Sequence, residues 1–261
     1  LMSLKGRSVL ISGGAGHIGW VMAQGLAELG AAVGLMDIAA DLAQAKAEEL
    51  SREFGVKACA LPCDLADEEA LLRAAERALE VLGGLDVLIN CAAFGGDTRL
   101  PGWVVPFGEQ SAASWRVALE VNLTAPFILT QAVTPALKAS GHGSVINVGS
   151  MYGELGPDMR LYEGTKMGNP AAYGASKGGL SALTRHLATV LAPRVRVNCL
   201  ILGGVWRDQP AEFVKRYEAR TPMGRMAREE DFLGATVYLA SDMSSYVTGT
   251  NLVVDGGFSA W

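Results

Sequence analysis

The chain has 261 residues, of which 50% are hydrophobic and 19% are charged, and its formal net charge is −5. This size suits one large α/β domain with a sizeable core, and the acidic balance argues against a nucleic-acid-binding surface. No uninterrupted apolar run is long enough to span a bilayer and no secretion leader opens the chain, so we expect a cytoplasmic protein without a membrane partner. Leu1 precedes Met2 and is expected to be a remnant of cloning.

Short β-rich runs alternate along the chain with segments whose apolar residues recur at helical spacing. The predicted strands are Ser8–Ser12, Ala32–Asp37, Lys57–Leu61, Val87–Cys91, Ser144–Val148, Val195–Ile201 and Asn251–Val254. The predicted helices are Ile18–Leu29, Leu42–Phe54, Glu68–Val81, Ala112–Lys138 and Tyr173–Leu191. This alternation predicts one α/β domain over residues 1–261, with a doubly wound, seven-stranded parallel sheet and helices on both faces.

Two Gly- and Pro-rich stretches, Ala93–Gln110 and Gly153–Pro170, interrupt this rhythm and are predicted to be long loops, either functional or disordered. The four cysteines include no Cys-x-x-Cys pair and are predicted to be reduced and buried. The three histidines have no second ligand at metal-site spacing, so no metal site is predicted.

A glycine-rich turn follows the first predicted strand. Its glycines at 14, 16 and 19 have the G-x-G-x-x-G spacing, in which glycine permits a tight turn and lets backbone amides approach a pyrophosphate. Such a turn can also be purely structural, but its place at the first strand–helix junction favours dinucleotide binding. The predicted cofactor contacts here are Ser12, Gly13, Gly14, Gly16, His17, Ile18 and Gly19.

Asp37 ends the second predicted strand, where a carboxylate can accept hydrogen bonds from a ribose and would repel the 2′-phosphate of NADP. Ile38 follows, and no Arg or Lys flanks the pair, so the sequence predicts NAD rather than NADP. Asp37 as a simple strand-end turn residue is the alternative. Asp64, with Leu65, ends the third strand in the same way, and a helix cap and an adenine contact are equally consistent with it.

Two Tyr-x-x-x-Lys pairs offer the chemistry of a general acid or base. Residues four apart share one face of a helix, and a nearby ammonium lowers the pKa of a tyrosine by stabilising the phenolate. Glycines and a proline surround Tyr162 and Lys166 and disfavour a helix there. Tyr173 and Lys177 instead open a segment with an apolar stripe at helical spacing, so the sequence favours this second pair.

Together these features resemble the short-chain dehydrogenase/reductase family over nearly the full length of the chain. The further matching motifs are Asn90-Cys-Ala-Ala93, Asn122 in Val-Asn-Leu, Ser150 after the fifth strand, Val195-Arg-Val-Asn198, Val247-Thr-Gly-Thr and Val254-Asp-Gly-Gly257. The resemblance implies a Rossmann fold and NAD(H)-dependent interconversion of a secondary alcohol and a ketone. It also implies small-molecule substrates and a homo-oligomer, commonly a tetramer and otherwise a dimer.

The resemblance implies a role for each matching residue. Tyr173 is expected to be the acid/base and Ser150 to hold the substrate oxygen. Lys177 is expected to bind the nicotinamide ribose and tune Tyr173, and Asn122 to support a water-linked proton relay. Ser150 as a turn cap, and Asn122 as a residue that merely satisfies backbone groups inside a helix, remain open. The implied cofactor contacts further along are Asn90, Cys91, Ala92, Tyr173, Lys177, Gly203 and Val205.

The sequence departs from the family pattern in three places. The cradle spacing, with His17 after Gly16, is closer to that of the larger nucleotide-sugar members. Leu202 stands where the family usually has proline, which puts the geometry near Gly203 in doubt. Finally, Ser150 and Tyr173 are unusually far apart, because the Gly153–Pro170 insertion lies between them.

The insertion and the Phe258-Ser-Ala-Trp261 ending resemble a subgroup associated with modification of flagellin or surface-polysaccharide sugars, which suggests a role in carbohydrate metabolism. Five insertion residues could bind a polyhydroxylated substrate or form a solvated loop: Glu154, Arg160, Tyr162, Glu163 and Lys166. The segment Trp206–Met226 is expected to be a substrate lid or, alternatively, a surface helix.

Two other functions remain open at this point. A nucleotide-sugar epimerase or dehydratase would return the hydride to the same molecule, and the cradle spacing favours it slightly. A non-catalytic NAD-binding regulator would keep the cradle without needing Tyr173, Lys177, Ser150 and Asn122 together.

Overall fold

The computed structural model describes residues 2–94 and 100–261, so the expectation for Leu1 and the centre of the first long loop lie outside the described residues. Its strands pair in parallel in one seven-stranded sheet of order β3-β2-β1-β4-β5-β6-β7. The strands are β1 Ser8–Ser12, β2 Ala32–Asp37, β3 Ala58–Pro62, β4 Val87–Asn90, β5 Gly143–Ser150, β6 Val195–Leu202 and β7 Asn251–Val254. The predicted fold class is therefore confirmed.

Helices cover both faces of the sheet. They are α1 His17–Glu28, α2 Ala40–Phe54, α3 Glu68–Leu82, α4 Ala112–Leu119, α5 Ala125–Ser140, α6 Ala171–Leu191, α7 Ala211–Arg220 and α8 Leu233–Ala240. Side chains of α3, α5 and α6 pack with strand residues such as Leu10, Leu88 and Val145 in one buried cluster. Residues of α1, α2 and α8 pack in a second cluster with strand neighbours such as Val9 and Ile89. Because both faces are buried, the strands read as nearly continuous apolar runs.

The predicted elements differ from the observed ones where polar residues or irregular backbone conceal the pattern. β5 continues to Ser150, beyond the predicted end at Val148, because Gly149 and Ser150 stay paired with β6. The predicted helix Ala112–Lys138 is interrupted by a five-residue π-helical segment, Glu120–Thr124. Neither α7 nor α8 was among the predicted helices.

By length and composition, the helical stretch Ala112–Ser140 could cross a membrane. In the structure its apolar residues Ile128, Leu129, Val133 and Leu137 pack into the buried cluster beneath the sheet. The hydropathy of this stretch is therefore explained by its place in the core.

The chain reverses its direction of winding between β1 and β4, which are neighbours in the sheet. At such a switch point the connections leave the carboxyl ends of adjacent strands on opposite faces, and a crevice opens between them. The ends of β1, β4, β5 and β6 lie along this edge, so residues from four distant parts of the sequence meet there.

Candidate active site

The glycine-rich turn between β1 and α1 forms a tight cradle. Gly13 has a φ of 68°, and a Cβ atom on it would lie 2.7 Å from the Cα of Ala92. A Cβ atom on Gly19 would collide with the carbonyl oxygen of Gly13. Both positions therefore require glycine, which brings the start of α1 against the loop after β4.

Asp37 ties the second strand to this cradle. Its Oδ2 accepts a hydrogen bond from the backbone amide of Ala15 at 3.0 Å, and its Oδ1 accepts one from Ala39 at 3.0 Å. The carboxylate also lines the cavity beside the cradle, next to exposed Ile38. Asp37 is thus both a turn-stabilising residue and a carboxylate facing the cavity, so the two readings of the sequence are compatible.

A cavity of about 550 Å³ opens beside the cradle. The predicted cofactor contacts that line it are Gly13, Gly16, His17, Ile18, Gly19, Asp37, Ile38, Asp64, Leu65, Cys91 and Ala92. Its volume, the strand-end carboxylate and the start of α1 suit the adenosine and pyrophosphate portions of a nicotinamide dinucleotide. Ser12 and Gly14 are not among the lining residues, because Ser12 is buried and a Cβ on Gly14 would meet Leu35.

Asp64 accepts a hydrogen bond from the amide of Ala66 at 2.9 Å, whereas Asp67 accepts one from Ala70 and caps α3. The prediction that Asp64 caps the next helix is therefore wrong. The cap is Asp67, three residues later. Asp64 closes a local turn and faces the cavity instead.

Asn90 is the predicted cofactor residue whose side chain the structure places elsewhere. It is 2% exposed, and its Nδ2 donates to Oδ1 of Asn147 at 2.8 Å, whose own Nδ2 donates to Thr184 at 2.9 Å. Side chains alternate along a strand, so Asn90 points to the same face as Leu88, while Cys91 turns towards the cavity. Asn90 therefore connects β4, β5 and α6 inside the sheet.

Ser150 and Tyr173 meet despite the long stretch of sequence between them. Ser150 ends β5 and is 7% exposed, and Tyr173 lies in the first turn of α6. Burial raises the pKa of Tyr173 above its ordinary value, and the hydrogen bond with Ser150 and the charge of Arg207 oppose that rise. Ser150 also accepts from the amide of Tyr152 at 3.2 Å, so it is a turn cap as well as a partner of Tyr173.

A close backbone contact explains how the insertion leaves this geometry intact. Gly153 packs so tightly on α6 that a Cβ atom there would lie 2.7 Å from the carbonyl carbon of Lys177. The insertion then returns to α6 at Pro170, whose neighbour Ala171 donates its amide to the side chain of Gln110. Both ends of the insertion are thus fixed beside Tyr173.

Lys177 is 2% exposed, and its Nζ donates to the carbonyl oxygen of Val148 at 2.8 Å. Burial lowers the pKa of Lys177, because the ammonium loses hydration. The Nζ atom therefore lies at the carboxyl end of β5, near Gly149 and Ser150.

Asn122 is fully buried in the π-helical segment between α4 and α5. Its Oδ1 accepts from the amide of Phe94 at 2.6 Å, and its Nδ2 donates to the carbonyl of Phe94 and to Ser176, each at 3.0 Å. Asn122 thus satisfies backbone groups, as the alternative reading proposed, but those of the loop after β4 rather than of its own helix. It links that loop to the face of α6 that carries Tyr173.

A second cavity of about 310 Å³ lies over Ser150 and Tyr173. It adjoins the first, because Ile18, Cys91, Ala93 and Arg207 line both. The predicted contacts Gly203 and Val205 line this second cavity with Lys177. Leu202, in place of the family's proline, pairs with Ser150 on one side and Val254 on the other, so β6 reaches the cavity as a regular strand.

The insertion contributes different residues to this cavity from those predicted. Of the five candidates, only Tyr162 lines it. Glu154 instead accepts hydrogen bonds from Ser181 and Asn251, Arg160 pairs with Asp158, and Glu163 and Lys166 are exposed. Asn169 and Tyr152 also line the cavity, and no periodic pattern in the sequence marks either residue.

The Tyr162/Lys166 pair does not form a helical face. Tyr162 ends a 3₁₀ turn, Met159–Tyr162, and its ring packs against Phe213 of α7 at a centroid distance of 5.3 Å. Its hydroxyl donates to the hydroxyl of Tyr152 at 2.9 Å. Lys166 is exposed beyond the turn, so the two side chains have different surroundings.

The segment after β6 places α7 over the second cavity. Phe213 and Tyr217 on its inner face are buried and line the cavity, and Tyr217 accepts the amide of Gly204 at 2.6 Å. Arg207, between β6 and α7, lines both cavities. It belongs to no sequence motif, so the sequence alone does not predict this position.

Comparison with known proteins agrees with this geometry. A sequence profile described as enoyl-(acyl carrier protein) reductase matches residues 13–259. The chain belongs to the short-chain dehydrogenase/reductase family. It is therefore an oxidoreductase, and the family uses a pyridine nucleotide.

Two curated relatives span almost the whole chain. The 5-keto-D-gluconate 5-reductase of Escherichia coli (strain K12) is 35% identical over 265 residues, covering 98% of this chain and 97% of its own. Sorbose reductase of Schizosaccharomyces pombe is 33% identical over 266 residues, covering 99% and 98%.

A solved structure shows the same similarity. The gluconate 5-dehydrogenase from Burkholderia cenocepacia J2315, in complex with NADP and tartrate, superimposes with a TM-score of 0.87 at 29% identity, covering 100% of this chain and 98% of that one.

Proposed function

We propose that this protein interconverts a secondary alcohol and a ketone on a small, sugar-like substrate, with NAD(H) as the cofactor and Tyr173 as the acid/base. The observation that carries the proposal is the meeting of Ser150, Tyr173 and Lys177 in a cavity continuous with the one beside the glycine cradle. Relatives that act on keto-gluconate and sorbose support the substrate class.

When bound, the nicotinamide supplies or accepts the hydride. In the oxidation, the Tyr173 phenolate takes the hydroxyl proton as the substrate carbon loses its hydride. In the reduction, Tyr173 returns that proton to the carbonyl oxygen. Ser150 holds the same oxygen by hydrogen bonding, which favours the geometry in which proton and hydride leave together.

Lys177 and Asn122 have supporting roles in this proposal. The Lys177 ammonium would bind the nicotinamide ribose and, as a neighbouring positive charge, favour the Tyr173 phenolate. Asn122 positions the loop at Phe94 against α6. In this proposal, a water beside the π-helical segment that contains Asn122 would relay a proton to Lys177.

The preference for NAD rests on Asp37. Its carboxylate lines the cavity where a ribose would lie, and Ile38 beside it offers no positive charge for a 2′-phosphate. The NADP complex of the Burkholderia enzyme makes this a question for measurement on this chain.

The direct test is turnover of 5-keto-D-gluconate and sorbose in the presence of NADH or NADPH, followed by nicotinamide absorbance. We expect stoichiometric cofactor oxidation with at least one of the two substrates, faster with NADH. Net conversion of the cofactor excludes an epimerase, since that enzyme returns the hydride to the same molecule. Cofactor binding without turnover of any carbonyl or alcohol in a broad panel would favour the non-catalytic regulator.

We also propose that the chain acts as one domain and assembles into a homo-oligomer. Large aromatic side chains stay exposed on α4 and α5, namely Trp115 and Phe127. A neighbouring copy would bury them. Light scattering would distinguish a tetramer or dimer from a monomer. The likeness of the insertion to a subgroup associated with sugar modification stays a prediction. A cytoplasmic location stays a prediction as well.

A further inference from the structure

Arg207 occupies the junction of the two cavities. It follows β6 by way of Gly203 and Gly204, and it lines both the cavity beside the cradle and the cavity over Ser150 and Tyr173. It lines the same cavity as Tyr173, and its positive charge opposes the rise in the pKa of that hydroxyl that burial causes. A group in this position can contact a substrate whose reacting carbon lies at Tyr173.

The backbone around Arg207 is held in a defined turn. The Arg207 amide donates to Oε1 of Gln209 at 2.7 Å, and Nε2 of Gln209 donates to the carbonyl of Val205 at 2.7 Å. Asp208 has a φ of 53°, a left-handed conformation that is uncommon outside glycine. Such a conformation persists only where surrounding contacts enforce it, and it often marks a functional segment.

The guanidinium of Arg207 is fixed at one nitrogen only. Its Nε donates to Oε1 of Glu229 at 3.2 Å, and the side chain is 42% exposed. Within the part of the chain that the structure describes, Nη1 and Nη2 make no hydrogen bond. These two nitrogens form the planar fork that matches a carboxylate with two parallel hydrogen bonds.

The charge of the substrate cavity favours an anion. Among the described residues that line it, Arg207 and Lys177 are the basic ones, and no Asp or Glu lines it. The carboxylate of Glu229, which pairs with Nε of Arg207, lies outside this lining. The other polar side chains there are neutral: Ser150, Tyr152, Tyr162, Asn169, Tyr173, Gln209 and Tyr217. A concave site with charge of one sign concentrates ligands of the opposite sign.

We propose that Arg207 is a specificity-determining residue that binds the carboxylate of the substrate, so that the substrate is a hydroxy acid or keto acid of sugar size. This inference rests on the proposed function and narrows it. Of the two relatives' substrates, it selects the acid, keto-gluconate, over the neutral ketose, sorbose. The tyrosine and asparagine side chains of the cavity would then bind the hydroxyl groups of the acid.

The test compares Arg207→Gln, Arg207→Lys and the unchanged protein on 5-keto-D-gluconate and sorbose, with saturating NADH. We expect Arg207→Gln to raise KM for keto-gluconate roughly tenfold to hundredfold, because a charge-assisted bidentate contact is lost, with a smaller change in kcat. KM for sorbose should change less than about twofold. Arg207→Lys should restore part of the loss, since it keeps the charge without the fork.

Inhibition gives a second readout that does not need turnover of both substrates. Tartrate and threitol share a four-carbon chain with hydroxyl groups on its two central carbons. The terminal carbons are carboxylates in tartrate and neutral hydroxymethyl groups in threitol. Tartrate should bind the unchanged protein more tightly, and Arg207→Gln should abolish that difference. Arg73→Gln is the matched control, because Arg73 is also ion-paired, to Glu69 at 3.3 Å, but on the exposed face of α3. It should leave all constants unchanged.

Two results would overturn the inference. Equal loss on both substrates together with weaker NADH binding would assign Arg207 to the cofactor. Unchanged KM for keto-gluconate in Arg207→Gln would remove its role altogether. Failure of the proposed function looks different, because the unchanged protein would then turn over neither substrate with either cofactor.

Discussion

Helix α6 and the insertion contain the same sequence spacing, Tyr-x-x-x-Lys, in different structures. In α6, Tyr173 and Lys177 project into one cavity from consecutive turns of a 21-residue helix. In the insertion, Tyr162 ends a four-residue turn and packs into an aromatic cluster, while Lys166 is exposed. Spacing has chemical meaning only where the backbone that carries it is helical.

The two tyrosines nevertheless line the same cavity. Tyr173 lines it beside Ser150, whereas Tyr162 donates a hydrogen bond to Tyr152 and packs on α7. The comparison therefore separates a residue that would transfer a proton from one that would shape the substrate pocket.

The largest effect is expected from removing the two hydroxyls in parallel. Tyr173→Phe should lower kcat by about a thousandfold, since general acid–base catalysis typically contributes that much. Tyr162→Phe should lower kcat/KM less than about tenfold, mainly through KM, because it removes one neutral hydrogen bond. Steady-state kinetics of the two variants measure this, each with a thermal melt as the folding control. The reverse order would transfer the acid/base role to Tyr162.

A smaller effect is expected on cofactor choice. Asp37→Ala should shift the ratio of kcat/KM for NADH over NADPH by roughly tenfold towards NADPH, because the repulsion of the 2′-phosphate is lost. Asp41→Asn, an exposed acidic residue in the first turn of α2, is the control and should leave the ratio unchanged. An unaltered ratio in Asp37→Ala would mean that Asp37 serves only the turn, through Ala15 and Ala39.

The pH dependence should report the surroundings of Tyr173. Because burial raises its pKa, the phenol is protonated at neutral pH, and alcohol oxidation should accelerate as pH rises towards that pKa. Arg207→Gln should move this limb upward, by about one pH unit or less, since a neighbouring positive charge is removed. Sorbitol as the neutral substrate keeps carboxylate binding out of the measurement. A downward shift would contradict the assignment of Tyr173 as the titrating base.

The smallest effect is expected at the anchor of the insertion. Asp158 bonds to Arg160 and to Arg220 of α7, each at 2.8 Å, and these bonds lower the pKa of Asp158 to about 2. A depressed folded-state pKa stabilises the fold above the ordinary pKa of the carboxyl, and that contribution is lost as pH falls towards 2. Asp158→Asn should lower Tm by about 1–3 °C at neutral pH, and the difference should vanish near pH 2.

Its control is Glu80→Gln, which breaks an exposed ion pair with Arg77 on α3. If KM for the substrate also rises in Asp158→Asn, the ion pairs of Asp158 also hold Tyr162 in its position in the cavity. A Tm difference that persisted at the lowest pH would show that the Asp158 charge is not its source.

Much of the molecule followed from local sequence. Three features rest on patterns that extend over a few residues: the alternation of strands and helices, the glycine cradle, and the helix that carries Tyr173 and Lys177. Such local patterns do not depend on how distant parts of the chain pack. The bounds of β1, β2 and β7 match the prediction for the same reason.

Tertiary structure alone decided which distant residues share a cavity. Arg207, Tyr152 and Asn169 lie beside Tyr173 because β5, β6 and the insertion end at one edge of the sheet, and no short-range pattern records that meeting. The direction of Asn90 likewise depends on its strand register, which turns its amide towards Asn147 and away from the cofactor cavity. Local propensity selects an element, whereas packing between elements selects which of its side chains meet the substrate.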